Sequence, residues 1–391
     1  MFDFWVLLGI ALVTIILFFW VFMEKNPMDK FYYGLIVLCI FIYSGAGGAI
    51  VDVDKDYKYY YFIYMLVLSF SILATKFFLG KKPSINSVKL DSFIEKYADW
   101  VIYLYIFLTF LDLCYPDFLL DRLINPPLPD VLSQLEGRFQ DIENKSTFTI
   151  INYYLRELLT PFYFFCLYKY RADFKRLLIY IGVILYLIYC RDSYIGRGTL
   201  LVYGVLYFVV IYTYNPKYRK RLFLLLLVLL PSLAIFFVSY SRIRIGGEVG
   251  NIVWGEAFEI LLYQETSFPE HFNFYKNISS NLIGPYLTWL VTLPFPGFFK
   301  SDVFAFNSFF SEQILGVDSS KQGFYILLPS VVGEAYFIFG KNLFWIHGII
   351  YGVLISSVRS FLRRNDTFIF LSVYIALILG YYISRGGTFS G

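Results

Sequence analysis

Histidine is almost missing from this chain, cysteine is sparse, and charge is thin. Two histidines in 391 residues leave little from which to build a metal site. The four cysteines, Cys39, Cys114, Cys166 and Cys190, lie within or at the ends of apolar stretches. That placement offers no disulfide or metal framework and reads as small buried hydrophobes. No Gly-rich loop ends in Gly-Lys-Ser/Thr, and no dinucleotide fingerprint follows a strand, so nucleotide-driven chemistry has no sequence support. The acidic run Asp52, Asp54, Asp56 imitates the start of a calcium loop but has Tyr57 where glycine belongs and Ile63 where the closing glutamate belongs. There is no internal repeat and no low-complexity tail. No small-residue cleavage site follows the first apolar run, which therefore reads as a retained span and not a removed leader.

What the chain has instead is hydrocarbon. It is 58% hydrophobic and 16% charged, where soluble domains average about 45–50% and about 25%. Phenylalanine and tyrosine, 44 and 36 residues, supply most of an aromatic share of 22%. Tyrosine suits bilayer interfaces and polar cavities between helices, being apolar along the ring and polar at the tip. Apolar runs long enough for membrane helices occur at Phe4–Met23, Phe31–Val51, Tyr59–Leu79, Trp100–Tyr115, Phe148–Tyr168, Leu177–Cys190, Leu200–Tyr214, Leu222–Tyr240, Asn342–Val358 and Thr367–Ser384. The expectation is an all-α polytopic integral membrane protein of about ten transmembrane helices, one transmembrane domain over 1–391.

Lysine and arginine set its orientation. The connections around Lys25 and Lys30, Lys81 to Lys96, Lys169 to Arg176, Lys217 to Arg221 and Arg359 to Arg364 are basic and alternate with less basic or acidic ones, which puts the basic set in the cytoplasm. Orientation and anionic lipid account for those charges without nucleic acid. Two outer loops are long, 116–147 and 241–341, the second lying before the penultimate helix; such loops are usually functional. The second holds Ile283-Gly284-Pro285 and Leu293-Pro294-Phe295-Pro296-Gly297, which suggest interfacial or re-entrant helices.

Against that frame the outward-facing arginines are anomalous. Arg191 and Arg197 flank a short turn between two spans, Arg242 and Arg244 follow the eighth span, and Arg385 follows the last. Arg156 lies inside the fifth span, roughly 12 Å from its outer end. An intramembrane arginine costs about 2.5–3.5 kcal/mol even on a mild scale, so it usually lines a polar cavity or meets an anion. The guanidinium fork matches phosphate oxygens and stays charged out of water, which makes the six a candidate diphosphate cluster. The alternative pairs them with Asp112, Glu157 or Asp192, or lets them snorkel to headgroups. His347, inside the ninth span, reads as a packing residue, while His271 in the outer loop is a candidate general base.

Three segments resemble the Wzy-type O-antigen polymerases of bacteria. Arg191 to Leu201, ending Gly196-Arg197-Gly198-Thr199-Leu200-Leu201, is similar to that family's Arg-Gly turn before a span. Ser330-Val331-Val332-Gly333-Glu334-Ala335-Tyr336-Phe337-Ile338-Phe339-Gly340 is similar to its motif ahead of the penultimate helix. The long outer loop with Pro294-Phe295-Pro296-Gly297 resembles its layout. The resemblance implies a metal-independent, cofactor-free glycosyltransferase of the bacterial inner membrane, working on undecaprenyl-pyrophosphate-linked oligosaccharide at the periplasmic face. A separate membrane protein regulating chain length is the partner it implies, besides membrane lipid. Arg156, Arg191, Arg197, Arg242, Arg244 and Arg385 would hold the pyrophosphate, and His271 or Glu334 would be the base, although Glu334 serves equally well as an anchor for Tyr336. Tyr286, Trp289, Tyr325 and Tyr336 would stack on sugar, where lipid contact explains them as well. An O-antigen ligase and a flippase of lipid-linked sugars are the competing readings.

Overall fold

The computed structural model describes residues 2–44, 55–79, 87–115, 118–127, 147–192, 195, 197–221, 224, 282–292, 311–312, 316 and 330–385. Among these every regular element is helical. We number the α-helices α1 (Phe2–Met23), α2 (Pro27–Ile36), α3 (Lys55–Leu79), α4 (Ser87–Cys114), α5 (Thr147–Cys166), α6 (Phe174–Asp192), α7 (Arg197–Tyr214), α8 (Ile283–Thr292), α9 (Ser330–Leu343), α10 (Trp345–Leu362) and α11 (Ile369–Arg385). Helix α2 continues into a π-helical stretch, Val37–Ser44. Among the described residues, three stretches are long and apolar enough to cross a membrane: Lys58–Leu79, Leu90–Cys114 and Trp345–Leu362. In the first two only 33% of the most apolar window is buried inside the protein. Their outer faces carry side chains such as Phe70, Phe77 and Trp100 at 75% exposure or more, as a lipid-facing helix requires. Leu8–Met23, Thr199–Tyr214 and Asp366–Tyr381 are apolar but shorter.

Local sequence explains several boundaries. Asn26 caps α2 by accepting from the Met28 amide at 2.9 Å, with Pro27 in the first turn, where its missing N–H costs nothing. Asn365 caps the turn into α11 in the same way. Helix α4 starts at Ser87, well before the apolar run Trp100–Tyr115, because Lys89, Asp91, Glu95 and Lys96 interrupt hydrophobicity without breaking a helix. The loop expected at 116–147 contains a short 3-10 turn, Leu119–Leu123, and the outer loop 241–341 contains α8 and most of α9.

The chain divides into two compact units. Unit 1 comprises Met1–Pro83, Trp254–Arg363 and Ile375–Gly391; unit 2 comprises Ser84–Val253 and Arg364–Tyr374.

Unit 1 is organised by α3 against α10. A stripe of small residues, Gly348, Gly352 and Ser356, lets the two backbones approach, the usual device between membrane helices, where hydrophobicity supplies no drive. A methyl group on Gly352 would stand 2.5 Å from Ser71 Cβ and 3.1 Å from the Ile72 amide nitrogen. Hydrogen bonds cross the same contact. Ser71 Oγ donates to the Ile349 carbonyl at 3.0 Å and Ser356 Oγ to the Ile72 carbonyl at 2.9 Å. Just before α10 the chain breaks at Gly340, whose φ of 72° and ψ of 176° are open essentially to glycine alone.

Unit 2 packs α4 on α5 and α6, with aromatic rings in register. Tyr105 stacks on Tyr163 with centroids 4.2 Å apart, and Phe164 stacks on Tyr374 at 4.2 Å. Asp99 on α4 accepts from Lys169 at 2.6 Å and from Tyr170, tying α4 to the turn that follows α5.

Two glycine substitutions test unit 1. Gly352→Ala is expected to lose about 1–3 kcal/mol through overpacking, and Ser71→Gly in the same chain should return part of it. Gly340→Ala meets no steric neighbour within 4 Å, so its loss, also about 1–3 kcal/mol, comes from the backbone alone and should be indifferent to Ser71→Gly. Thermal melting in detergent distinguishes the two behaviours.

Candidate functional site

In unit 2 three helices bring charge to one place. Asp112 stands near the C-terminal end of α4, and Arg191 and Asp192 end α6. Asn152, Arg156 and Thr160 are spaced by four residues along one face of α5. The Asp112 carboxylate accepts on both oxygens: Oδ1 from Asn152 Nδ2 at 2.5 Å, and Oδ2 from Arg191 Nη1 at 2.8 Å and from Arg156 Nη1. Asn152 Nδ2 also donates to the Leu108 carbonyl at 2.9 Å. Arg191 meanwhile forks onto Asp192, Nε to Oδ1 and Nη2 to Oδ2, both at 2.6 Å. Burial alone would weaken the charged form of Arg191; the forked bond to Asp192, with Asp112 behind it, reverses that and holds the guanidinium well above its usual range.

The end of α6 is closed by the 118–127 segment. Arg122 Nη1 donates to the carbonyls of Cys190 and Arg191 at 3.4 and 3.1 Å, supplying a cation to the negative end of a helix. Tyr186 and Tyr189 donate back to the Leu123 and Pro127 carbonyls at 2.7 and 2.6 Å. The cluster thus holds three arginines against two aspartates. Chemically it is a rigid, forked donor set from two helices, with one carboxylate, Asp112, shared between its arginines.

In unit 1 a second polar cluster surrounds His347, the third residue of α10. Its Nδ1 lies 2.8 Å from the Tyr64 hydroxyl on α3, and its Nε2 lies 3.7 Å from Glu334 Oε1 on α9. All three side chains are buried. Tyr286 of α8, Phe339 of α9 and Tyr351 of α10 complete an aromatic surround, with Tyr351 nearest at 4.3 Å between centroids. The break at Gly340 is what permits this. Glu334 and His347 are thirteen residues apart, about 20 Å along an unbroken helix, yet their side chains meet.

A third cluster lies elsewhere in unit 1. Asp29 of α2 accepts from Arg359 Nε at 2.7 Å and faces Arg363 Nη1 at 3.5 Å. Arg359 is 1% exposed and sits over the Tyr32 ring, while the Tyr32 hydroxyl donates to the Ile355 carbonyl at 3.0 Å. These residues clamp α2 to α10.

Compared with protein-family models, curated proteins and solved structures, the chain matches none of them. The clusters therefore carry the functional reading.

Of the expected site residues, Arg156 and Arg191 come together, and they do so on Asp112, the partner that the ion-pair alternative names. Glu334 and Tyr286 come together around His347. Tyr336 packs edge-on against Tyr60 of α3, with centroids 5.4 Å apart. Arg197 opens α7, Arg385 ends α11 and Trp289 lies in α8, with their backbones alone described. Arg242, Arg244, His271 and Tyr325 fall outside the described residues. Sequence reasoning missed the pairing of His347 with Glu334 and the clamp of Arg359 on Asp29. Gly340 lies seven residues ahead of His347, and spacing alone does not show that it turns the chain back there.

Asp112 is the keystone of the unit 2 cluster. Asp112→Asn leaves two guanidinium groups facing one another without their shared anion, and the expected loss is about 3 kcal/mol, the scale for breaking a largely buried pair. Asp192→Asn, at a side chain 38% exposed, should cost less. Melting of both variants in detergent, with an Asp112→Asn/Arg156→Gln pair closing a double-mutant cycle, checks the order.

Proposed function

We propose that the chain spans the bacterial inner membrane about ten times and polymerises undecaprenyl-pyrophosphate-linked oligosaccharide repeat units at the periplasmic face, making O-antigen or capsular polysaccharide. The observation that supports this reading best is the meeting of Arg156 and Arg191, from separate helices, on Asp112. The alternation of basic and less basic connections in the sequence favours an outer position for the end of α6 that carries Arg191.

The reaction asks for such a device. The bond between the anomeric carbon of the growing glycan and its phosphate oxygen breaks, and the lipid diphosphate leaves with the electron pair. A bond forms between that carbon and a hydroxyl of the incoming repeat unit, which gives up a proton. Negative charge develops on the departing diphosphate, where preorganised donors are worth most. Arg156 and Arg191 each direct an Nη1 donor to Asp112, and Asp192 fixes the fork of Arg191 before any anion arrives. Asp112 also offsets part of their charge, so a diphosphate binds by taking over donors that the carboxylate holds. Arg197, Arg242, Arg244 and Arg385 extend the proposed anion site, with His271 or Glu334 as the base and Tyr286, Trp289, Tyr325 and Tyr336 as sugar platforms.

Purified protein in nanodiscs, mixed with undecaprenyl-pyrophosphate-linked repeat units, is expected to give a ladder of polymer on a gel. Transfer to a lipid A core acceptor without a ladder would favour the ligase, and movement of intact substrate across the bilayer would favour the flippase. Arg191→Lys keeps the charge but cannot fork onto Asp192 and reach Asp112 at once, so ladder formation should fall by about 10²-fold, the scale for losing one transition-state donor. Full activity in that variant removes Arg191 from the site.

A further inference from the structure

We propose that the end of unit 1 where α1, α3 and α10 finish is a binding surface for the headgroups of anionic phospholipid, with Lys25 and Lys30 meeting the phosphate. The surface rests on α3 and α10 crossing a bilayer, for which both are long and apolar enough, and not on the polymerase reading.

Three helices finish at one place. Glu24, the residue after α1, pairs with Lys76 in the last turn of α3. Asp29, in the first turn of α2, accepts from Arg359 in the last turn of α10 at 2.7 Å and faces Arg363, the C-cap of that helix, at 3.5 Å. The C-terminal ends of α1, α3 and α10 thus gather at the turn from which α2 starts. Such ends carry unpaired carbonyls and partial negative charge, which basic residues in the last turn complement. Lys76, Arg359 and Arg363 are therefore engaged within the fold.

The turn itself, Glu24-Lys25-Asn26-Pro27-Met28-Asp29-Lys30, holds two acids and two lysines. By count it is neutral, but the fold separates the signs. Both acids turn toward cations of α3 and α10, and Asp29 is buried. The Asn26 side-chain oxygen is taken by the Met28 amide. Neither lysine side chain pairs with an acid among the described residues: Lys25 is exposed, and Lys30 places its Nζ 5.1 Å from the centre of the Phe22 ring. What faces outward from this turn is positive charge.

The surroundings of the two lysines are apolar. Phe22 and Met23 at the end of α1, with Phe77 and Phe78 at the end of α3, are exposed. A lysine whose ammonium lies against an exposed ring has its stem along apolar surface and its head free to reach outward, as lysines do at a bilayer edge. Trp20 and Tyr33 pack together at 5.0 Å, with Lys76 over both rings at 4.4 and 5.1 Å, and such rings suit the headgroup level. A soluble anion would use the lysines and leave the exposed rings bare. A phospholipid uses both, its chains against the phenylalanines and its phosphate at the ammonium groups. A zwitterionic headgroup offsets its own phosphate, so two unpaired lysines favour a lipid with net negative charge, about fivefold for each.

The test uses the full chain in nanodiscs that contain a phosphatidylglycerol with a photoreactive acyl chain. Peptides covering 18–33 should take the label, and unlabelled phosphatidylglycerol should displace it better than phosphatidylcholine does. Lys25→Gln with Lys30→Gln should cut that preference about thirtyfold, and either change alone about fivefold. Lys217→Gln with Lys220→Gln, which removes as much charge from an exposed part of unit 2, should leave it unchanged. Equal displacement by the two lipids in the unaltered protein overturns the proposal without any variant. A preference that survives the double substitution, or that falls as far in the unit 2 control, overturns it as well. Lys25→Gln, at an exposed side chain, decides the matter alone where the double variant fails to fold. None of these readings requires glycan synthesis, so the absence of a ladder would leave this result standing, and the reverse.

Discussion

A charge removed from water must be neutralised where it stands, at a cost otherwise of several kcal/mol per ion, and each described unit is arranged around one answer to that constraint. In unit 2 the acid is Asp112, set between Arg156 and Arg191. In unit 1 it is Asp29, set between Arg359 and Arg363. The two solutions share a form, one carboxylate serving two guanidinium groups from other turns or helices. They differ in setting. Arg359 is almost wholly enclosed, and its pairing locks α2 to α10. The side chain of Arg191 is 28% exposed and sits at a helix end.

The helix contacts that frame these charges follow from the same poverty of driving force. Lipid is as apolar as leucine, so α3 and α10 cannot be held together by hydrophobicity alone. Gly352 brings the backbones close, and the serine hydroxyls of Ser71 and Ser356 reach carbonyls on the opposite helix. That contact fixes the register of α3 on α10. Register in turn sets Tyr64 opposite His347, because Tyr64 lies two turns before Ser71 on α3 while His347 lies just over one turn before Gly352 on α10. A shift of one helical turn, about 5.4 Å, would separate the phenol from the ring.

How much of this was legible from the sequence depends on what each residue answers to. Apolar length answers to the bilayer, so Phe4–Met23 and Tyr59–Leu79 fall within a few residues of α1 and α3. Trp100–Tyr115 comes out far too short, since helix formation tolerates the charges of Lys89 to Asp99 that interrupt hydropathy. Arg156 and Arg191 stood out because the sequence reading puts them toward an outer face, where positive charge is unexpected, and Asp112 could be named beside them as a partner. Arg359 did not stand out, since the sequence reading counts it in a basic connection, where positive charge is the rule, and nothing in its spacing shows that it turns to Asp29. Glu334 was visible through the segment Ser330–Gly340, whereas its partner was not. Pairing across a positive-φ glycine depends on the angle at which the chain folds back, and no periodicity encodes an angle.

The arrangement around Asp112 bears on why arginine, and not lysine, occupies both positions. An ammonium is a point charge and can neutralise one carboxylate from almost any direction. Arg191 does more: it holds Asp192 with two nitrogens and reaches Asp112 with the third. The plane of its guanidinium is thereby fixed by Asp192 before Asp112 is engaged, and the direction of its Nη1 donor follows from that plane. Arg156 then approaches the same Asp112 oxygen from another helix. Two donors from separate helices thus converge on one oxygen of Asp112, and the carboxylate is held in one orientation between them.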